Sequence, residues 1–407
     1  KGELDLAIDS YKRALKNKPD FAEASASMAN VLMEKGDLDA AIVNYRSALK
    51  IKPDYAEAHN NMGVALMEKG DLIASIDSYK SAVSIKPDYA DAHHNMSIEL
   101  LRDQKFEQGF KLLEWRWKTK QNIGTPLITS RPLWDGERNQ TVFVWGEQGI
   151  GDEIMFSSLI PELHAVSSKL IVQCDKRLIP LFQRSFPKDI TYQSDRSLVT
   201  EDTYDFHTPI GSLARIFRTS IDSFPKTSNC YLCHDEAKTN QLRQKLLTGK
   251  AKTLIGISWK TASTILNSSE RNITLPELAQ VLSSPKIQLV CLQYGEVSDE
   301  IEMLKKEFGI NVMQVSEIDN RGDIDGLASL IMACDKIVST TNATIHLAGS
   351  LGADVKVLLP FSARWLWGRH QSGSSWYSTV TPYRQNVVGD WGDVLKSLSK
   401  DMKKTAS

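Results

Sequence analysis

The sequence is short of cysteine, of net charge and of long apolar runs. Five cysteines, Cys174, Cys230, Cys233, Cys291 and Cys334, are scattered over 407 residues. An odd, sparse set argues against a disulfide framework and for a reducing compartment, so a cytoplasmic protein is expected. Cys230-Tyr-Leu-Cys233 with His234 is a lone CxxC without a second pair at zinc spacing, and it reads as an incidental loop pair rather than a metal or redox centre. Lysine plus arginine number 49 and aspartate plus glutamate 50, a net charge of −1. No overall field draws such a chain to nucleic acid or to anionic membrane. The longest apolar runs are strand-sized, as at Val355 to Phe361, far below the roughly 18 residues of a membrane span. Lys1-Gly2-Glu3 does not read as a signal peptide. What is present is an ordinary globular balance, 42% apolar and 24% charged, which excludes a disordered or collagen-like chain. At about 150 residues per domain the length suggests two to three domains.

The first third repeats itself. Gly2, Gly36 and Gly70 recur at a spacing of 34 residues, as do Tyr11, Tyr45 and Tyr79, Ala14, Ala48 and Ala82, and Pro19, Pro53 and Pro87. The blocks KPDFAEA, KPDYAEA and KPDYADA restate one phrase. This period and these residues resemble the tetratricopeptide repeat over residues 1–118. Each unit reads as two antiparallel amphipathic helices, with Gly-Asp at the turn between them and Pro-Asp closing the second helix. Gly63, Ala41 and Ala48 allow close approach, the tyrosines fill the gap between neighbours, and stacking supplies the core. Lys1-Gly2 aligns with the turn of a unit, so further repeats are expected upstream. Phe110, Leu113, Trp115 and Trp117 form an aromatic stripe that suits either docking on a following domain or an ordinary capping helix. Asn61 and Asn95 share one groove-facing register, with Ser27 before them. Such a row can hold an extended protein or peptide backbone or be a solvated polar face. His59, His93 and His94 read as packing or surface residues.

After a polar linker, residues 119–138, the pattern becomes α/β in two halves, 139–250 and 251–407. In the first, strands are expected at Thr141–Trp145, Lys169–Cys174, Ile190–Gln193 and Tyr204–Thr208, with helices at 153–166 and 176–186. In the second, strands are expected at Thr253–Ser258, Ile287–Leu292, Asn311–Val315, Lys336–Thr340 and Val355–Pro360. Helices opening at Thr274-Leu-Pro276 and spanning 299–308, 324–333 and 344–351 lie between them, with a C-terminal helix last. Alternating strands and helices indicate parallel sheets, so the chain is multidomain: an all-α solenoid and two Rossmann-like halves. Ligands bind such halves in the cleft at the strands' carboxyl ends.

Three loops there carry candidate chemistry. Gly146-Glu-Gln-Gly-Ile-Gly-Asp152 joins a strand to a helix without being a dinucleotide fingerprint or a P-loop. Gly149 and Gly151 permit close approach to a ligand, and Asp152 is either a catalytic carboxylate or a helix cap. Thr341, Asn342, Ala343 and Thr344 open a helix whose free N–H groups and dipole favour a phosphate. His346, one turn on, could reach a phosphate or sugar hydroxyl, or simply pack. Ser258, Lys260 and Arg271 bound the third loop, where the two cations could neutralise a diphosphate. Gln293 ends the neighbouring strand on the same rim.

GEQGIGDEIMFSSLIPEL, ISWKT with RNITLPEL, and STTNATIHLAGSLGADVKVLLP resemble the heptosyltransferase-type glycosyltransferases of family nine, in their branch fused to tetratricopeptide repeats. SARWLWG and SSWYSTVTPYRQ are similar to that branch too. The likeness covers about Thr141 to Trp391. It implies a GT-B fold, no metal, and a nucleotide-sugar donor held mainly by the second half. It also implies that Asp152 matches the general base, that Arg271 lies near the donor-phosphate residue, and that Thr341 to Leu347 matches a donor loop usually written Asp-Thr-x-x-x-His-Leu. Thr341 stands where that loop has Asp and Asn342 where it has Thr, which leaves the donor sugar open. Repeats fused to such an enzyme also resemble, in architecture, the protein O-linked N-acetylglucosamine transferases.

The expected function is therefore transfer of a sugar from a nucleotide-diphosphate sugar to an acceptor hydroxyl. Asp152 serves as base, and the helix near Asn342 with Arg271 meets the leaving diphosphate. No DxD-like metal site is evident, and no bound cofactor is expected. Two other readings stand beside it. One is a repeat scaffold with an inactive or nucleotide-binding GT-B body, which the Thr341 change favours. The other is an epimerase or hydrolase of the same architecture.

Overall fold

A computed structural model describes residues 2–119, 125–225, 230–249, 251–261, 271–369 and 373–406. The chain divides into two compact units, residues 1–126 and 127–407.

The first unit is an all-helical tetratricopeptide solenoid: α1 (Gly2–Asn17), α2 (Ala22–Lys35), α3 (Leu38–Ile51), α4 (Ala56–Lys69), α5 (Leu72–Ile85), α6 (Ala90–Arg102) and α7 (Phe106–Leu113), then a 3₁₀ turn at Glu114–Lys118. Gly36 (φ +86°) and Gly70 (φ +88°) end α2 and α4 in the left-handed region, which a side chain would disfavour. There the N–H groups of Gly36 and Asp37 reach back to Met33 and Leu32 at 2.9 Å. Asp37 and Asp71 then cap the next helices, accepting from the N–H of Ala40 and Ala74 at 3.1 and 3.2 Å. Tyr45 and Tyr79 are buried. Gly63 makes the space, because a Cβ there would stand 2.6 Å from Tyr79 Cε1. In the last unit the aromatic stripe turns inward: Phe106, Phe110 and Leu113 are buried, and Trp115 stacks on His93 at 4.1 Å.

The second unit holds two parallel sheets. One has the order β3-β2-β1-β4, from β1 (Thr141–Trp145), β2 (Lys169–Gln173), β3 (Thr191–Gln193) and β4 (Phe206–Pro209). The helices α8 (Ile150–Phe156), α9 (Ile160–His164), α10 (Ile179–Ser185) and α11 (Ala214–Phe217) go with it, and α12 (Glu236–Leu246) leads on to the second half. The other sheet has the order β10-β9-β8-β5-β6-β7, from β5 (Thr253–Ser258), β6 (Ile287–Cys291), β7 (Val312–Met313), β8 (Lys336–Thr340), β9 (Val355–Leu359) and β10 (Val380–Arg384). Its helices are α13 (Leu275–Leu282), α14 (Ser298–Phe308), α15 (Ile324–Ala333), α16 (Ala343–Ser350) and α17 (Gly392–Ala406). The central strands are buried almost end to end, as parallel strands covered on both faces must be. Ile255, Ile257, Leu289, Val338 and Leu358 share one core with Leu275, Leu278 and Leu398. In-register pairing sets Trp145 opposite Gln173 and Pro209, and Ser258 opposite Ser339. All carboxyl ends of a sheet therefore open on one edge.

Several elements differ from expectation. The single helix expected at 153–166 is broken: Ser157 and Ser158 hydroxyls bond back to Ile154 and Met155 carbonyls at 2.8 Å, a 3₁₀ turn intervenes, and Pro161 starts α9. β7 has two residues rather than five. The end of the polar linker belongs to the first sheet's edge: Trp134 N–H donates to His207 and His207 N–H to Pro132, at 2.8 and 3.1 Å, with Trp134 buried.

Candidate functional site

The glycine loop after β1 is held from beneath by acidic side chains. Gly146 N–H donates to Gln173 O at 2.9 Å. Buried Glu147 accepts from Gly211 N–H at 2.9 Å, and Glu153 from Asp175 N–H at 2.8 Å. A Cβ on Gly146 would stand 2.6 Å from Glu153 Oε1. Burial pushes the Glu153 carboxyl up to about 7. Gly149 caps α8 through its backbone, in an extended conformation that any residue could adopt.

Asp152 is the third residue of α8 and only 19% of its side chain is exposed. Burial raises its pKa above the ordinary carboxylate value, while the Arg364 guanidinium and the Gly149 N–H work against that rise. Arg364 Nη1 lies 3.8 Å from Asp152 Oδ1, an ion pair without a direct hydrogen bond.

α8 and α16 pack on each other, and Gly151 is what lets them. A Cβ at Gly151 would sit 2.9 Å from His346 Cδ2. His346 is buried, and its Nδ1 lies 2.9 Å from Tyr377 Oη. Tyr377 in turn bonds Tyr231, whose hydroxyl donates to Ile154 O in α8 at 2.9 Å. The two halves are thus tied through one buried chain of polar groups. Burial, with Arg364 nearby, lowers the His346 pKa to about 3, so the ring is neutral at physiological pH. The close approach that Gly151 permits is to a side chain of the other half.

At the carboxyl ends of the second sheet, Ser258, Gln293 and Asn342 bond one another. Asn342 Oδ1 accepts from Thr344 N–H at 3.0 Å, capping α16. Its Nδ2 donates to Ser258 Oγ at 2.7 Å and to Lys260 O at 3.3 Å. Gln293 Oε1 accepts from Ser258 Oγ and from the N–H groups of Trp259 and Lys260, at 2.9 to 3.0 Å. These three side chains therefore shape the rim and spend their polar atoms inside it. Lys260 Nζ pairs with Glu300 of α14, whose other oxygen takes Trp259 Nε1 at 2.8 Å. Arg271 is half-buried at the far end of the same loop, and 262–270 between them lie outside the described residues. Thr341 and Ala343 are half-buried beside Asn342. Thr340 and Thr344 are buried with unpartnered hydroxyls.

The structure thus brings together Gly149, Gly151, Asp152 and His346, joins Ser258, Gln293 and Asn342 in a second cluster, and sends Lys260 to Glu300. Arg364 and Tyr377 were not anticipated. Arg364 carried a signal, since SARWLWG follows a strand as the donor loop does. Tyr377 lies within SSWYSTVTPYRQ, but nothing in that stretch marks its hydroxyl as a partner for His346. Among the described residues no group of His, Cys, Asp and Glu could hold a metal ion. No described helix is long and apolar enough to cross a membrane.

In the solenoid, the asparagines form one hydrogen-bonded chain. Asn95 donates to Asn60, Asn60 to Asn61 and Asn61 to Asn30, at 3.1, 3.0 and 3.1 Å. Tyr45 Oη also donates to Asn30. The row therefore spans more positions than the two the period marked.

Family models described as TPR repeat and tetratricopeptide repeat match residues 29–70 and 56–89. Protein FlbA of Caulobacter vibrioides is 26% identical over 317 residues, covering 72% of this chain and 52% of that protein. The chain thus spans about half the length of this curated relative. Among solved structures, a crystal structure of MamA protein is 24% identical, covering 29% of this chain and 64% of that one, with a TM-score of 0.28. MamA 41-end from Desulfovibrio magneticus RS-1 is 20% identical, covering 29% of this chain and 70% of that one, with a TM-score of 0.27.

Proposed function

We propose that the α/β unit is a metal-independent glycosyltransferase of GT-B type. It moves a sugar from a nucleoside-diphosphate sugar to an acceptor hydroxyl, with the repeats binding a protein or peptide. The observation that carries this reading is Asp152: a carboxylate mostly withdrawn from water, made more basic by burial, at the junction of two parallel-sheet halves. A general base needs that combination, because a carboxylate at its ordinary pKa is a poor acceptor for a hydroxyl proton. On the facing half, α16 brings the positive end of its helix dipole and the unpartnered hydroxyl of buried Thr344. Both suit a leaving diphosphate. Arg271 is proposed as a cation for it. In the repeats, the amide row through Asn61 and Asn95 is proposed to grip an extended backbone.

The test is a turnover assay over a panel of nucleotide sugars, with Asp152→Asn as the control. The reading expects nucleoside diphosphate release that needs an acceptor and is lost in Asp152→Asn. Undiminished release in that variant would remove Asp152 from the mechanism.

A second reading, a repeat scaffold with a non-catalytic α/β body, is favoured by one specific observation. Ser258, Gln293 and Asn342 are consumed by internal hydrogen bonds, and Lys260 is paired with Glu300. A scaffold would bind its protein partner equally well with Asp152 replaced and would turn over no nucleotide sugar.

A further inference from the structure

We infer that Arg364 is shared between two anions: it rests against Asp152 and moves its guanidinium onto the diphosphate of a nucleotide ligand when one enters the junction. The inference rests on the proposed glycosyltransferase reading and adds to it a residue and an order of events.

The backbone that carries Arg364 is fixed. The residue lies just beyond β9, and the carbonyls of Trp367 and Gly368 are held by Arg384 Nη2 at 3.2 and 2.7 Å. Trp365 packs at 6.2 Å on Trp376. Trp376 meets Phe156 of α8 edge-on at 5.6 Å and Phe224 at 5.2 Å. The segment is thus wedged against the first half, while the Arg364 side chain remains 47% exposed. Its guanidinium donates no hydrogen bond among the described residues. At 3.8 Å from Asp152, it attracts the carboxylate without spending any of its five donors. An arginine fork matches a phosphate bidentately. Its charge is felt at His346 of α16 as well as at Asp152, so it lies near both the base and the helix proposed to meet the diphosphate. Lys260 is engaged elsewhere, which leaves room for a cation with this role.

The chemical consequence is an ordered activation. With Arg364 drawn away, Asp152 loses the charge that stabilises its ionised form, and it becomes a stronger base only when donor is loaded. The acceptor proton then passes to Asp152 as the acceptor oxygen bonds the sugar's anomeric carbon and the bond from that carbon to the diphosphate breaks.

The experiment is calorimetric titration of the full chain with UDP, GDP, CDP, ADP and dTDP, repeated in Arg364→Ala, Arg364→Lys, Asp152→Asn and the Arg364→Ala/Asp152→Asn double variant. Removing the fork should weaken the bound diphosphate about tenfold or more, and Arg364→Lys should fall between. Asp152→Asn, by removing the competing anion, should tighten it about threefold. That gain should vanish in the double variant. Equal affinity in wild type and Arg364→Ala, or the same gain from Asp152→Asn with and without Arg364, would overturn the sharing while leaving the nucleotide reading intact. Failure of wild type to bind any of the five would instead overturn both. Matching melting temperatures of the ligand-free variants show that affinity, not folding, is being read.

Discussion

Gly151→Ala is the substitution whose cost is most directly set by the junction. An added Cβ would stand 2.9 Å from His346 Cδ2, about 0.7 Å inside an ordinary carbon–carbon contact. The imidazole cannot easily yield, because it is buried and its Nδ1 is bonded to Tyr377. Overpacking of this kind costs about 1–3 kcal/mol. Alanine in a helix gains back about 1 kcal/mol over glycine. The net loss is about 1 kcal/mol, or about 2–4 °C in melting temperature for a unit of this size. Gly149→Ala is the matched control: its φ is −106° and a Cβ meets only Asp152 Oδ2 at 4.0 Å, so its loss should be smaller. Differential scanning calorimetry of both variants, each with and without His346→Ala, isolates the contact as a double-mutant cycle. The Gly151→Ala cost should disappear when His346 is absent. If Gly151→Ala melts at or above wild type, or costs the same without the imidazole, the Gly151–His346 contact does not join the halves.

Other consequences are equally concrete. Asp152→Asn should lower transfer by about 100-fold or more, read as acceptor-dependent nucleoside diphosphate release, while the fold melts within a few degrees of wild type. Glu153, raised by burial to about 7 from 4.5, binds its proton more tightly folded than unfolded, so it contributes stability at low pH that is lost as pH rises from about 4.5 through 7. Glu153→Gln should remove that part of the slope. Denaturant titrations at pH 5 and pH 8 should show the variant gaining on wild type at pH 8 by up to about 3 kcal/mol; no difference between the two pH values would mean Glu153 is not protonated when buried. In the solenoid, Tyr79→Ala empties the space that Gly63 leaves and should cost about 3–5 kcal/mol in denaturant unfolding of the repeats. A loss under 1 kcal/mol would show that Tyr79 does not hold neighbouring units together.

The repeats were the most legible part of the chain, because one phrase at a fixed period states glycine, tyrosine and proline roles three times over. The second sheet was nearly as legible: β5 and β8 and helix α15 fall at the expected residues, since buried parallel strands are continuous apolar runs and Thr274 carries its capping box with Glu277 openly. β10 was missed because Val380–Arg384 contains Pro382 and buries only its first residue. α12 was missed because it is mostly polar and buries just Thr239, Leu242 and Leu246. At the site, loops and residue types were readable but partners were not. Nothing local says that Lys260 goes to Glu300, that Gln293 and Asn342 turn inward to Ser258, or that Tyr377 meets His346 and Tyr231 across separations of 31 and 146 residues. Those pairings are set by how the strands are ordered.

Binding of a nucleoside-diphosphate sugar by the two-halved unit, as proposed, can be read from thermal shift of the full chain against a panel of nucleoside diphosphates and their sugars. At a hundredfold excess over its dissociation constant, a ligand that binds only the folded state adds about 2.7 kcal/mol, about 5–10 °C here. Such a shift is expected for one nucleotide series, confined to the melting of the α/β unit. No shift with any member of the panel would contradict it and leave the chain a repeat scaffold.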